Sequence, residues 1–224
     1  MNMKTALVFG ASGLTGQHCL MQLLASSKYE SVTIFVRKKL AISHPKLVQH
    51  EIKFDDLASV SSAFNVDHVY CCLGTTIKKA GTKSAFKAID LDLVVQIAKL
   101  SKQHAVECFS VISSIGADKG SLSFYTSIKG QMEQALIAIG LNKLIIARPS
   151  LLLGERKEQR LLEHLSIRLC KVLSWLFIGS LAKYKAIEAK SVAKALIVYA
   201  NKENNSNECV HIVENDELML TGNR

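Results

Sequence analysis

The chain has 224 residues, 49% of them hydrophobic, and its formal net charge at pH 7 is +9. This length suits one α/β domain with a sizeable core, and the apolar content excludes a wholly disordered chain. No run approaches the roughly 20 apolar residues of a membrane span, so we expect no transmembrane segment and a cytoplasmic protein. The positive charge indicates a solvated basic surface or, alternatively, attraction to anionic ligands, and no basic motif with interleaved aromatic residues indicates nucleic acid.

Short apolar runs alternate with helical patterns along nearly the whole chain. The predicted strands are Thr5–Phe9, Ser31–Val36, Val48–Lys53, His68–Cys72, Cys108–Ile112, Lys143–Ala147 and Cys209–Val213. The predicted helices are Leu14–Ser27, Leu57–Phe64, Lys83–His104, Tyr125–Ile139, Glu158–Ile178 and Ala189–Ala200. This alternation predicts an α/β fold, a Rossmann-type doubly wound parallel sheet with helices on both faces.

The whole chain, residues 1–224, is interpreted as a single domain, in which residues 150–224 contribute the last sheet elements and a small helical substrate cap. The predicted helix Glu158–Ile178 is apolar on more than one side, and either a substrate cap or a contact in a homodimer explains that. In an open parallel sheet the ligand lies outside the carboxyl ends of the strands. The residues that follow each strand are therefore the candidates for function.

Three glycines spaced three residues apart follow the first predicted strand and open the next helix. Glycines here permit a tight turn, let backbone N–H groups approach a pyrophosphate, and let the helix pack closely on the strand. The helix N-terminus adds positive partial charge for the phosphates. We therefore predict a dinucleotide-binding loop composed of Gly10, Ser12, Gly13, Leu14, Thr15 and Gly16.

The turn after the second predicted strand begins with Arg37 and carries no acidic residue from Thr33 to Ile42. An NAD site usually places a carboxylate here for the ribose 2′-hydroxyl, whereas a guanidinium suits a 2′-phosphate. We therefore expect NADP(H) to be preferred, with Ser12 assisting, and NAD(H) to be the alternative. The alternative interpretation is that this turn is basic only because it is exposed to solvent, and that it binds no ligand.

Candidates of lower specificity follow the third, fourth and sixth strands. Asp55 either accepts a hydrogen bond from the adenine amino group or caps the following helix. Gly74 and Thr75 let the backbone lie close to the adenosine ribose. Pro149 fixes the chain near the nicotinamide end, and Arg148 is either an ion-pair partner or a site residue.

Acid–base chemistry is indicated after the fifth predicted strand. Ser113 and Ser114 end this strand, and Tyr125 and Lys129 lie four residues apart on one face of the next predicted helix. A free tyrosine has a pKa of about 10, and a neighbouring ammonium and an oxidised nicotinamide ring both favour its phenolate. A surface tyrosine beside a solvated lysine is the alternative. No Cys/His cluster has metal-ligand spacing, so no metal is predicted.

The glycine loop, Ser114, the Tyr125-x-x-x-Lys129 pair and Arg148-Pro149-Ser150 resemble the short-chain dehydrogenase/reductase superfamily, in its atypical branch. More narrowly, residues 10–16, 71–76, 113–119 and 129–130 resemble the Tat-interacting-protein-like NADP-binding oxidoreductases. The resemblance implies that Tyr125 is the general acid/base and that Lys129 binds the nicotinamide ribose and lowers the tyrosine pKa. It also implies that Ser114, or else Ser113, donates a hydrogen bond to the substrate oxygen.

These residues lead to two functional hypotheses. The first is an NADPH-dependent oxidoreductase, a carbonyl reductase or dehydrogenase that acts on a small-molecule carbonyl or hydroxyl substrate. The second is an NADP(H)-binding regulatory protein that controls a partner without turnover. A sensor needs only the cofactor groove, so the additional Ser/Tyr/Lys set favours the enzyme.

Overall fold

The computed structural model describes residues 3–54, 57–154, 184–203 and 208–223. Seven strands form one parallel sheet in the spatial order β3-β2-β1-β4-β5-β6-β9. Their bounds are β1 Lys4–Phe9, β2 Tyr29–Val36, β3 Leu47–Glu51, β4 His68–Cys71, β5 Cys108–Ile112, β6 Leu144–Arg148 and β9 Val210–Glu214. Two short strands, β7 (Leu152–Leu153) and β8 (Ile187–Glu188), pair separately. The strand order reverses between β1 and β4, where doubly wound sheets bind their ligands.

Helices cover both faces of the sheet. The α-helices are α1 Leu14–Ala25, α2 Ile77–Ala80, α3 Lys83–Lys87, α4 Val94–Gln103, α5 Phe124–Ile139, α6 Ala189–Ala200 and α7 Asn215–Gly222. A 3₁₀ helix spans Ala58–Phe64, and a π-helical segment, Ala88–Leu93, joins α3 to α4. No helix in the described ranges is long and apolar enough to cross a membrane.

The predicted Rossmann-type doubly wound sheet is confirmed, and each of its seven predicted strands lies within two residues of an observed one. The predicted helix Lys83–His104 is observed as one continuous helical run that contains a π-helical segment. The short elements α2, α7, β7 and β8 were not predicted. The predicted helix Glu158–Ile178, on which the substrate cap and the dimer contact depend, lies outside the described residues.

Alternating strand residues build two separate cores, one on each face. Ala6 and Val8 of β1 point into the core beneath α1, α6 and α7, and Leu7 and Phe9 point into the core beneath α4 and α5. This alternation is the period of two expected of a strand. Because both faces are covered, the strands are buried runs of apolar residues, and the polar ligand groups are confined to the strand ends.

A network of buried polar side chains lies at the amino end of the sheet. The Tyr29 hydroxyl lies 2.7 Å from His68 Nδ1 and 2.7 Å from the Tyr70 hydroxyl, and it accepts a 2.7 Å hydrogen bond from Asn201 Nδ2. Burial lowers the pKa of His68 to about 4 and raises that of Tyr29 to about 12. The network is therefore neutral at physiological pH, and its polar groups are satisfied by the protein itself.

Candidate active site

A cavity of about 530 Å³ lies at the carboxyl edge of the sheet. Its lining brings together the glycine loop, the turn after β4, the end of β5, the start of α5 and the segment after β6. The lining residues are Ser12, Gly13, Leu14, Thr15, Gln17, Cys72, Leu73, Gly74, Thr75, Thr76, Lys79, Asp90, Ile112, Ser113, Ser114, Tyr125, Lys129, Pro149, Ser150, Leu151 and Leu152. Eleven of them are residues that the sequence predicts for the site.

The glycine loop is built by two glycines that the cavity does not contact. Gly10 has a φ of +76°, and a Cβ there would lie 2.5 Å from the Cys72 carbonyl oxygen. A Cβ on Gly16 would lie 2.0 Å from the Gly10 carbonyl oxygen. Both contacts are with backbone, so any side chain would force the loop away from the helix or the strand. Gly10 and Gly16 thus fix the loop in shape, which leaves Gly13 and its neighbours to line the cavity.

Two adjacent serines at the end of β5 have different partners. The Ser113 hydroxyl donates a 2.5 Å hydrogen bond to Glu133 Oε1, and both residues are buried. The Ser114 side chain is 7% exposed, and its hydroxyl has no hydrogen-bond partner among the described residues. A buried hydroxyl without a partner is costly unless a ligand supplies one. Ser114 therefore has a free hydrogen bond for a molecule in the cavity.

Tyr125 and Lys129 both line the cavity from helix α5, one helical turn apart. Tyr125 is 37% exposed, whereas Lys129 is 3% exposed and its ammonium lies 3.4 Å from the Ile112 carbonyl oxygen. Burial alone would lower the pKa of Lys129, but the Asp90 carboxylate outweighs burial and raises that pKa. Lys129 is therefore a cation in the wall of the cavity at neutral pH.

A family model described as NAD(P)H-binding matches residues 10–166. The chain belongs to this NAD(P)H-binding family. Among curated relatives, Protein HTATIP2 of Rattus norvegicus is 33% identical over 205 residues, which cover 88% of this chain and 81% of that protein. "Protein FMP52, mitochondrial" of Candida glabrata is 36% identical over 162 residues, or 70% of this chain and 68% of that protein.

A solved structure supports the same assignment at the level of fold. The Bordetella bronchiseptica enzyme WbmH in complex with NAD+ superposes with a TM-score of 0.71 at 16% identity, over 95% of this chain and 76% of that one. Together with the two relatives, this confirms the predicted membership in the short-chain dehydrogenase/reductase group and the resemblance to the Tat-interacting-protein-like proteins.

The cavity of this NAD(P)H-binding chain fits a dinucleotide in two respects. Gly13 lines the cavity without a side chain, which lets a pyrophosphate approach the backbone of the loop, and a Cβ there would also lie 3.2 Å from the Gly10 carbonyl oxygen, a tight contact. Helix α1 begins directly after Gly13, and no side chain caps its N-terminus. Its first N–H groups and its positive partial charge are thus available to phosphates.

Asp90 is a site residue that the sequence prediction missed. It is fully buried in the π-helical segment, its Oδ1 forms an ion pair with Lys129 Nζ at 2.8 Å, and its Oδ2 accepts a 2.9 Å hydrogen bond from the Thr75 N–H. The available signal was its spacing. Asp90 is four residues from both Phe86 and Val94, which places a charge in the middle of an apolar helical stripe.

The two predicted arginine ligands lie outside the cavity lining. Arg148 forms a bidentate ion pair with Glu133, at 2.6 and 3.1 Å, and a 2.9 Å bond to Glu214. Of the two roles expected for Arg148, an ion-pair partner or a site residue, the first therefore describes its side chain. Arg37 is exposed at the end of β2. The predicted adenine contact, Asp55, is outside the described residues.

Gly130, next to Lys129, is a point of close approach inside helix α5. A Cβ at this position would lie 2.2 Å from the Lys119 backbone nitrogen and 2.3 Å from the Asp118 carbonyl carbon. The loop that follows Ser114 therefore folds back directly onto the helix that carries Tyr125 and Lys129. The loop between Ser114 and α5 is therefore closely packed against the helix.

Proposed function

We propose that this NAD(P)H-binding protein is an NADPH-dependent oxidoreductase, a carbonyl reductase or dehydrogenase that interconverts a small-molecule carbonyl and the corresponding hydroxyl compound. The observation that carries the proposal is the buried Ser114 hydroxyl, which has no protein partner among the described residues and lines one cavity with Tyr125 and Lys129. A protein that only binds a dinucleotide has no need for an unpaired hydroxyl at this position.

Each of the three side chains has a distinct role in this proposal. When bound, the nicotinamide ring exchanges a hydride with the substrate carbon. Tyr125 donates its proton to the carbonyl oxygen during reduction and accepts it during oxidation. Ser114 donates a hydrogen bond to the same oxygen, where negative charge develops. Lys129 is cationic and favours the tyrosine phenolate that remains after proton transfer. Ser113, whose hydroxyl is already bonded to Glu133, is the less suited of the two serines.

The preference for NADPH over NADH rests on Arg37. This side chain is exposed at the end of β2, and the turn from residue 37 to residue 46 contains no acidic residue to bind a ribose 2′-hydroxyl. A guanidinium at that point suits a 2′-phosphate. The cytoplasmic location, the homodimer and the cap over the substrate remain predictions from the sequence.

The test is a turnover screen with NADPH over aldehydes, ketones and quinones, followed by Tyr125→Phe. This substitution should lower turnover by about 10²–10⁴, because it removes the acid that acts in the transition state. Its NADPH affinity, measured by calorimetry, should remain near that of the unmutated protein.

Full activity in Tyr125→Phe would contradict the assignment of the acid. A protein that binds NADPH, turns over none of the substrates and changes its affinity for a protein partner would instead support the regulatory hypothesis.

A further inference from the structure

The segment between β4 and Asp90 is strongly basic. Residues 73–89, the basic segment, contain four lysines and no acidic residue. All four lysines are exposed: Lys78, Lys79, Lys83 and Lys87. Deeper in the cavity the ionic groups balance each other, because the Asp90 carboxylate pairs with the Lys129 ammonium at 2.8 Å. The basic segment therefore adds positive charge at this edge of the cavity.

Aromatic contacts place the basic segment beside Tyr125. The Lys83 ammonium lies 5.2 Å from the centroid of the Phe124 ring. The buried Phe86 ring lies 5.8 Å from the Tyr125 ring, centroid to centroid. Helix α3 thus packs against the first turn of α5. Lys87 follows Lys83 by one helical turn, so both cations lie on the same side of α3.

Lys83 and Lys87 lie at the rim of the cavity and not in its wall. Neither is among the lining residues, whereas Tyr125 is, and Tyr125 is 37% exposed. A molecule that reaches the Tyr125 hydroxyl from solvent therefore enters the field of both ammonium groups. An opposite charge is attracted at such distances without direct contact, and salt weakens the attraction.

The phosphates of a dinucleotide do not account for these two cations. The glycine loop and the N-terminus of α1 suit a pyrophosphate, and Arg37 at the end of β2 suits a 2′-phosphate. The nicotinamide ring, which must lie beside Tyr125 for the proposed reaction, carries no phosphate itself. The cations of α3 thus lie where the substrate would supply the anion.

We propose that the substrate is an anionic carbonyl compound, which carries a carboxylate or a phosphate ester besides its reacting carbonyl, and that Lys83 and Lys87 attract this anionic group. The inference rests on the proposed function, since it names the substrate class of that reaction. A lysine ammonium is a compact point charge without the fork of an arginine, so it suits carboxylate and phosphate alike. Its consequence is selectivity by charge among carbonyl compounds of equal size.

Equilibrium binding to the NADPH complex tests this selectivity without requiring turnover. The probes are para-carboxybenzyl alcohol and para-carbamoylbenzyl alcohol, which have nearly the same shape and differ by one negative charge. Neither alcohol can be oxidised by the reduced cofactor. At low ionic strength the carboxylate should bind about three- to tenfold more tightly than the amide, and added salt should reduce this ratio. Equal affinities, or no binding of the carboxylate, overturn the inference.

The double substitution Lys83→Gln with Lys87→Gln tests whether these residues supply the attraction. It should abolish most of the affinity ratio between the two probes, and the affinity for NADPH should stay unchanged. Both side chains are exposed, so the variant loses the contact between Lys83 and Phe124 and should still fold. Lys87→Gln alone keeps that contact and should lose part of the ratio.

The matched control is Lys99→Gln with Lys102→Gln. These exposed lysines lie near the C-terminal end of α4, which leads into the start of β5 at the amino end of the sheet. The control removes the same charge and should retain the affinity ratio. An equal loss in the control, or a ratio that survives in the variant of Lys83 and Lys87, would overturn the inference. A large loss of NADPH affinity in that variant would assign both cations to the cofactor and would also overturn it.

Turnover of the matching aldehydes separates this inference from the proposed function. With NADPH, para-carboxybenzaldehyde should have a higher kcat/KM than para-carbamoylbenzaldehyde, by about the ratio at which the alcohols bind. If no carbonyl compound turns over, the proposed function is contradicted, and the affinity ratio still decides which charge the site prefers. If uncharged aldehydes turn over and the two alcohols bind equally, the proposed function stands and the inference is overturned.

Discussion

At the amino end of the sheet, the buried hydroxyl of Tyr29 lies 2.7 Å from each of three polar partners. At the carboxyl end, the buried hydroxyl of Ser114 has none among the described residues. Both residues are buried. The difference is that the amino end completes its hydrogen bonds within the protein, and the carboxyl end leaves one open for a ligand.

The same contrast applies to charge. His68 at the amino end is held neutral by burial, with a pKa near 4. Lys129 at the carboxyl end is buried just as deeply, but the ion pair with Asp90 keeps it charged. Polar groups at the amino end therefore contribute to the stability of the fold, and those at the carboxyl end are arranged for chemistry. Substitutions at the amino end should therefore lower the stability of the protein, and substitutions at the carboxyl end should lower its turnover.

Among the substitutions that compare the two ends, Ser114→Ala should have the largest effect. Loss of a donor aimed at a developing oxyanion costs about 10²–10³ in turnover, so kcat should fall by that factor. The melting temperature should not fall, because the Ser114 hydroxyl makes no hydrogen bond to any residue that the structure describes. Steady-state kinetics and calorimetric melting of the same preparation measure both quantities.

Tyr29→Phe is the matched control for Ser114→Ala, since it also removes one buried hydroxyl. It should cost about 1–2 kcal/mol of stability, because it leaves polar partners at the amino end unsatisfied, and it should leave turnover unchanged. A Ser114→Ala protein that melts early but retains its kcat would reverse the contrast between the two ends.

An intermediate effect is expected for His68 in acid. Its folded-state pKa of about 4 lies below the unfolded value of 6.5, so its contribution to stability is complete above pH 6.5 and is lost as the pH falls toward 4. The difference of about 2.5 units corresponds to about 3 kcal/mol in the free energy of unfolding. Urea unfolding of the unmutated protein and of His68→Gln, measured between pH 4 and pH 6.5, isolates the contribution of His68 to the free energy of unfolding. Parallel losses in the two proteins would show that His68 does not cause the acid sensitivity.

The last effect concerns the cofactor. NADPH should bind more tightly than NADH, and Arg37→Ala should remove most of the difference. One guanidinium–phosphate contact contributes roughly 1.5–3 kcal/mol, about ten- to a hundredfold in affinity. Lys39→Ala, an exposed cation on the same turn, is the control and should retain the preference. Equal affinities for both cofactors in the unmutated protein, by calorimetric titration, would remove the basis for NADP specificity.

Local patterns were sufficient to predict the sheet and much of the cavity. Apolar strands that are followed by Gly10, Gly74 and Ser114 mark the carboxyl edge of a parallel sheet, and the four-residue spacing of Tyr125 and Lys129 places both on one helical face. These features depend on residues close together in sequence. Secondary-structure periodicity therefore captures them.

Features that depend on distant pairs could not be predicted in the same way. Asp90 meets Lys129 across 39 positions, and Arg148 meets Glu214 across 66. From sequence alone, Arg148 was equally compatible with an ion pair and with a ligand contact. Helix α7 was missed because it is only eight residues long, although Asp216 and Glu217 in its first turn were a usable start signal.

The contact at Gly130 has a consequence for how this chain can evolve. With the Lys119 nitrogen 2.2 Å from where a Cβ would be, no single substitution at Gly130 fits without a shift of the Asp118–Lys119 loop. This loop joins Ser114, at the end of β5, to helix α5, which carries Tyr125 and Gly130. Position 130 and the loop should therefore change together or not at all among homologues, so that the diagnostic signature of this site is six residues long, Tyr-x-x-x-Lys-Gly, rather than five.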